Sequence, residues 1–295
     1  MPSQQFEMLA QAMKAQRSQD VTPIPELRAN FEGIANLAPP VDDIEVTSSM
    51  IGSVPIDRVA APGVDTSRLL VYIHGGGYCI GSRASHRHVV ARLAKEAQLP
   101  VYVPEYRLAP EHPYPAGLDD VLLVYRRLVA NGAQPAGIAV AGESAGGGMT
   151  VALQVALRDA GDPLPGASVA ISPWADMTGL GPVSNEAMDI DFLRPENIEA
   201  FREAYLGKTD PTLHLVSPAL ADLTGFGPML IQAGEAEILA DTARRLAARA
   251  KDCGVDVTLE MEPGLFHAWH LFCGMIPEAD EAIARVGNFL RDRLS

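Results

Sequence analysis

The pentad Gly142-Glu143-Ser144-Ala145-Gly146 sets a serine between two glycines, and G-x-S-x-G is a pattern that presents an alcohol as a nucleophile. An apolar run, residues 138–141, precedes it. A proline-free stretch rich in Ala, Leu, Val and Met, residues 145–157, follows it. A strand, a sharp turn and a helix are therefore expected around Ser144. The hydroxyl would stand at the strand end, over a helix N-terminus whose dipole favours negative charge. Acyl transfer through such a serine needs three further parts: a base beside the hydroxyl, an acid that orients the base, and donors for the oxyanion.

Each part has a candidate. His74-Gly75-Gly76-Gly77 follows the apolar run 69–73. Successive glycines let amide N–H groups converge on one point without Cβ obstruction, so Gly75 and Gly76 are expected donors, joined by the amide of Ala145. For the base, His267 follows the run 257–261 and a Pro263-Gly264 turn, with His270 three residues on. His267 is the better placed, coming sooner after the strand and on a loop; His270 is left as a structural or pocket-wall residue. His74, His86, His88 and His112 precede the nucleophile, and His214 is the other histidine that follows it. The acid should lie just past the run 229–233, where Glu235, Glu237 and Asp241 compete. Asp241 is expected to cap the helix that begins at Thr242. Spacing alone does not separate Glu235 from Glu237.

These side chains need a scaffold. Strands are expected at 69–74, 101–105, 138–142, 168–172, 229–233 and 257–261, several of them continuous apolar runs, as in strands buried on both faces. Helices are expected at 86–98, 117–131, 145–160, 241–253 and 278–294. This alternation implies an α/β chain with a mostly parallel central sheet and helices on both faces. Ahead of it, residues 5–17 form an amphipathic pattern with Phe6, Leu9, Ala10 and Met13 on one face. Two extended segments, 44–50 and 54–60, read as an antiparallel edge. Residues 180–215 break the rhythm. With residues 1–43 they are read as a helical cap over the site, within a single domain spanning 1–295. Its acidic residues suggest small, soluble substrates.

The chain has 295 residues, 47 % hydrophobic and 20 % charged, with a formal net charge of -14. That charge disfavours nucleic acid and anionic membrane as partners. Cys79, Cys253 and Cys273 are too few and too scattered for a disulfide framework or a metal site. No apolar h-region follows Met1-Pro2-Ser3-Gln4-Gln5, and no run approaches a membrane span. A cytoplasmic location is the expectation.

Three motifs in order, His74-Gly75-Gly76-Gly77, Tyr106-Arg107-Leu108-Ala109-Pro110-Glu111 and Gly142-Glu143-Ser144-Ala145-Gly146-Gly147, give the chain a resemblance to the hormone-sensitive-lipase group of α/β-hydrolases. Within that group it is most similar to the bacterial carboxylesterases. Ser172-Pro173-Trp174-Ala175-Asp176-Met177-Thr178 and Phe266-His267-Ala268-Trp269-His270 fit as well, and the likeness covers roughly residues 70–290. It implies an α/β-hydrolase fold and a Ser144–His267–acid triad. The acid motif of the group, Asp-x-Leu-x-Asp or Asp-Pro-x-x-Asp, falls on Glu237-Ile238-Leu239-Ala240-Asp241, which favours Glu237. Two departures are glutamate at 237 and glutamate at 143, where the group usually carries aspartate. The residue at 143 is implied to support the elbow.

The expected activity is hydrolysis of short- to medium-chain acyl esters through an acyl-enzyme on Ser144, falling below about pH 6 as the histidine base protonates. No metal or organic cofactor is implied, and the partner is a small-molecule ester. The alternatives are an amidase, a long-chain lipase, or a non-catalytic small-molecule receptor; the last generally loses a triad member. Resemblance alone implies a homodimer through residues 257–261 and 278–294. Tyr106 to Glu111 reads as a structural turn. Asp119 and Asp120 read as helix-surface residues or partners of Arg107, and Trp174 as a pocket-lining or packing residue.

Overall fold

The computed structural model describes residues 2–15 and 22–294. Uncharged runs that cannot face water on either side build its centre: Leu69–Ile73 and Ala167–Ile171 are buried at every position. The strands are β1 (Glu45–Ile51), β2 (Val54–Ala60), β3 (Leu69–Ile73), β4 (Val101–Pro104), β5 (Ile138–Glu143), β6 (Ala167–Ile171), β7 (Met229–Gly234) and β8 (Val257–Glu262). They form one sheet in the order β1-β2-β4-β3-β5-β6-β7-β8. The β1–β2 and β2–β4 pairs are antiparallel and the rest parallel, so the expected antiparallel edge and parallel body are both present.

The helices are α1 (Gln4–Ala15), α2 (Ile24–Phe31), α3 (Arg87–Ala97), α4 (Ala116–Ala130), α5 (Ala145–Ala160), α6 (Asn185–Ile190), α7 (Pro195–Leu206), α8 (Ala240–Asp252) and α9 (Pro277–Arg293). The two-residue period of a strand sends alternate side chains to opposite faces. Leu70 and Tyr72 join the core under α3 and α9, whereas Leu69, Val71 and Ile73 pack with α4 and α5. Helix α8 covers Ile231 and Ala233 on the second side. The end of the expected helix 5–17 falls outside the described residues. Among those described, no helix is long and apolar enough to cross a membrane. Helices α1, α2, α6 and α7 come from the two segments read as the cap, and α1 packs against α6.

Candidate active site

Helix α5 can start directly behind β5 because Gly146 has no Cβ; one there would collide with the Ile73 carbonyl oxygen of β3. The turn between them places Ser144 at φ 55°, ψ -118°. A non-glycine residue held in such a region costs on the order of 1–3 kcal/mol and persists only when its surroundings fix it. Here the Ser144 amide donates to the Ile171 carbonyl at 2.8 Å, and its carbonyl accepts from the Trp174 amide at 2.9 Å.

Beneath the serine, the buried Glu143 carboxylate accepts from the Tyr72 hydroxyl (2.6 Å) and the His86 imidazole (2.7 Å). It also accepts from the Gly75 amide. Burial disfavours both charges, but each offsets it for the other: Glu143 titrates below and His86 above its ordinary value. His74 stacks on Tyr106 at 4.3 Å and on His86 at 5.3 Å. Burial, with the His86 charge adding, pushes it down to about 4. The Tyr106 hydroxyl donates to the His74 carbonyl at 2.7 Å. The motif at Tyr106 is thus the strut of the glycine loop.

The expected donor Gly75 is therefore corrected by its contacts: its amide is taken by Glu143, because a buried carboxylate must be satisfied locally. Gly76 lines the cavity that contains Ser144, and so does Gly77, a residue the sequence reading passed over. Ala145, buried, opens α5 as its first residue.

His267 sits on the loop after β8, 2 % exposed, and lines the same cavity as Ser144. No hydrogen bond joins the Ser144 hydroxyl to the imidazole; contacts of this kind commonly tighten only as a reaction proceeds. His267 Nδ1 stands 3.8 Å from Glu237 Oε1. Neither of these two facing atoms has a hydrogen-bond partner among the described residues. Burial lowers the His267 pKa, but the carboxylates of Glu237, Asp191 and Glu143 raise it by more, so it titrates above an ordinary histidine. Glu237 is buried in the turn after β7. Its Oε2 accepts from the Ser172 hydroxyl at 2.7 Å and the Gly234 amide at 3.0 Å. The Ser172 oxygen also accepts from the Ala268 amide at 3.0 Å. Ser172, at φ 42°, thereby ties the acid turn to the histidine loop.

The rival acids lie elsewhere. Glu235 is exposed. Asp241 does not cap α8: the helix begins at Ala240 with Leu239 as its N-cap, and the Asp241 carboxylate pairs with Arg245 at 2.8 Å. His270 is buried against Gln232 at 2.9 Å, in the structural role expected of it. Asp120 pairs with Arg107, as one of its two readings had it. Trp174 is buried and borders the cavity, filling both of its roles. Cys79 is buried, and burial pushes its thiol up to about 12, so it is inert.

The cavity holds about 650 Å³, and the side chains that line it from three of the helices are mostly apolar: Leu9 and Met13 of α1, Leu27 and Phe31 of α2, and Ile198 and Phe201 of α7. The acidic residues counted for the cap, among them Glu186, Glu196 and Glu203, are not in that wall. Two residues near Glu237 and His267 were not singled out from sequence. Ser172 lay inside a noted motif without a role. Asp191, fully buried beside Glu237 and His267, lay among the acidic residues of 180–215 with no role of its own.

Comparison with known proteins places this geometry. Residues 70–271 match the family described as alpha/beta hydrolase fold. An acetyl-hydrolase of Streptomyces hygroscopicus is 42 % identical over 262 residues, covering 88 % of this chain and 86 % of its own. The carboxylesterase NlhH of Mycobacterium tuberculosis is 35 % identical over 239 residues, 77 % of this chain and 75 % of its own. The crystal structure of an esterase from the bacterial hormone-sensitive lipase family superposes with a TM-score of 0.93 at 38 % identity, over 100 % of both chains. That of EstE5 soaked with p-nitrophenyl butyrate gives 0.93 at 34 % identity over 99 % of each. The chain belongs to the α/β-hydrolase-fold family, within its hormone-sensitive-lipase-like group of esterases.

Proposed function

We propose that this chain is a serine carboxylesterase that hydrolyses short- to medium-chain acyl esters, with Ser144 as nucleophile, His267 as base and Glu237 as the orienting acid. The observation that carries the reading is the strained serine at the β5–α5 turn sharing one cavity wall with a buried histidine backed by a buried carboxylate. His267 takes the hydroxyl proton as Ser144 attacks the ester carbonyl, and the imidazolium returns that proton to the departing alcohol. Water, deprotonated by His267, then attacks the acyl-enzyme and releases the acid and free Ser144. Glu237 keeps the imidazole in the tautomer whose free nitrogen faces the serine. For the oxyanion we assign the amides of Gly76, Gly77 and Ala145, since Gly75 is engaged by Glu143.

Residues 1–43 and 180–215 act as the cap, a reading supported by the apolar wall they supply. The butyrate ester soaked into EstE5 and the size of the cavity both favour small acyl groups. A homodimer through the exposed edge β8 and α9, and a cytoplasmic location consistent with three unpaired cysteines, complete the reading. Ser144→Ala is expected to abolish hydrolysis of p-nitrophenyl butyrate while the circular dichroism spectrum stays that of the parent. Turnover by that variant at more than about a thousandth of the parent rate would remove Ser144 from the mechanism.

A further inference from the structure

Helix α2 buries none of its residues fully, although its Leu27 and Phe31 line the cavity. With so little buried surface it depends also on polar contacts, and Arg28 supplies them. The Arg28 Nε donates to the Cys79 carbonyl at 2.6 Å and its Nη2 to the Ala109 carbonyl at 2.7 Å. The two Nη groups also donate to the Glu111 carboxylate, at 2.8 and 2.6 Å. The Glu111 side chain is 55 % exposed, so the ion pair by itself contributes little. The contact with Cys79 matters more, because of where it leads.

Cys79 and Ile80 close the glycine loop: the Gly76 carbonyl accepts the Cys79 amide at 3.0 Å and the Ile80 amide at 2.9 Å. A trans peptide is one rigid plane that points its C=O and its N–H in opposite directions, and both peptides concerned here are trans. The plane that carries the Cys79 carbonyl also carries the Ile80 N–H. The plane that carries the Gly76 carbonyl also carries the Gly77 N–H. From α2 inward, the Arg28 guanidinium donates to Cys79 and the Ile80 amide of that plane donates to Gly76. The Gly77 N–H stands at the far end of the series, on a residue that lines the cavity with Ser144. Hydrogen bonds in series polarise one another, and this series has a cation at its head. Helix α7 backs the same loop: a Cβ on Gly77 would meet the Phe201 ring, and Tyr205 stacks on Tyr78 at 3.8 Å.

We propose that Arg28 is a positioning residue of the oxyanion site: through the Cys79 carbonyl and two peptide planes it aims and polarises the Gly77 amide, so that this donor is set only while α2 is docked. The proposal rests on the oxyanion donors assigned above. A guanidinium presents its donors in a fixed planar fork that spans two carbonyls and a carboxylate at once, which an ammonium does not. Losing a whole oxyanion donor costs about 10²–10³ in turnover; an amide that remains but is misaimed should cost a part of that.

The test compares the parent, R28A and R28K on two readings. The first is kcat and KM for p-nitrophenyl butyrate. The second is inhibition by butyl trifluoromethyl ketone relative to butyl methyl ketone. Ser144 Oγ adds to the carbonyl carbon of the fluorinated ketone, the hydroxyl proton passes to His267, and the C=O π pair becomes an oxyanion. The two ketones share their alkyl chain, so the ratio of their inhibition constants reports on the oxyanion donors and not on the cavity wall. R28A is expected to lower kcat about tenfold and to shrink the ketone ratio by about the same factor, with KM within about threefold. A residue that merely seated α2 would disturb the wall, moving KM and leaving kcat and the ratio in place. An R28A variant that changes KM alone, or that overlays the parent on both readings, overturns the proposal. A parent that binds the two ketones equally removes the serine and oxyanion reading itself, and the proposal with it. Should R28A not fold, R28K decides: it keeps a charge beside Glu111 but not the span, so kcat and the ratio should each fall at least about threefold. An R28K variant that matches the parent in both overturns the proposal.

Discussion

Glu237 and His267 present bare atoms to each other across 3.8 Å in an enclosed setting. That separation is beyond a hydrogen bond but well within the range where opposite charges attract. As the imidazole gains a proton in the transition state, the pair can close. Glu237→Gln is therefore expected to lower kcat by about 10²–10⁴, as loss of a triad acid does, whereas Glu235→Gln, on an exposed side chain, should stay within about twofold. Steady-state kinetics on the two variants rank them, and the reverse order would move the acid. The same carboxylates set the pH response. A histidine base works only when neutral, and Glu237, Asp191 and Glu143 hold the pKa of His267, the proposed base, above an ordinary histidine's. Activity should thus be full at alkaline pH and fall as pH drops through that raised value, so the decline starts above the usual 6.5 rather than below 6. A kcat/KM profile flat from pH 8 to 5.5 would be incompatible with His267 as base. At this scale spacing did not distinguish Glu237 from Glu235; the fold buries the first and exposes the second. Ser172 and Asp191 escaped notice because their partners lie 65 and 47 positions away, on loops that meet only after folding.

The elbow is a property of several elements together. Strand β5, strand β3, the glycine loop that follows β3 and the start of α3 are clamped by one carboxylate, Glu143, with Tyr72, the Gly75 amide and His86 as its donors. Removing one side of a buried pair typically costs about 3–5 kcal/mol because the other charge is stranded. Glu143→Gln is therefore expected to destabilise the fold by that order in urea unfolding and to lower kcat as the loop bearing Gly76 and Gly77 loosens. A variant as stable and as active as the parent would show the clamp to be dispensable. Gly146→Ala probes the same junction from the other side, since its methyl would meet the Ile73 carbonyl. Strand and helix positions here were readable from the chain, because apolar runs of five or six residues bounded by turns admit few other structures. What was not readable is which amide of a three-glycine run faces the cavity. That depends on where the neighbouring buried carboxylate finds its donors.

At the scale of the whole molecule, the cavity at Ser144 is lined by helices from both the start and the middle of the chain. The acidic residues of those segments suggested a polar cap, yet the cavity wall is built from Leu9, Met13, Leu27, Phe31, Ile198 and Phe201. Composition counts all faces of a helix, while a cavity sees one. The N-terminal helix does more than cover. Phe6 is buried and stacks on Phe266 at 4.7 Å, one residue from His267, and burying such a ring contributes about 1.5–3 kcal/mol. An apolar cavity of about 650 Å³ suits a small acyl group together with its alcohol, sites of this kind enclosing most of what they bind. Across p-nitrophenyl esters of increasing chain length, kcat/KM is therefore expected to peak near butyrate to octanoate and to fall about tenfold or more by laurate. Deleting residues 1–15 removes Leu9 and Met13 from the wall and uncovers Phe266. That variant should lose at least about tenfold in kcat on butyrate, through a slackened His267 loop, and should discriminate less between short and long chains, through an opened cavity. A deletion variant that keeps both the rate and the chain-length profile of the parent would mean that α1 merely decorates the surface, and the reading of the N-terminal segment as part of the cap would have to be abandoned.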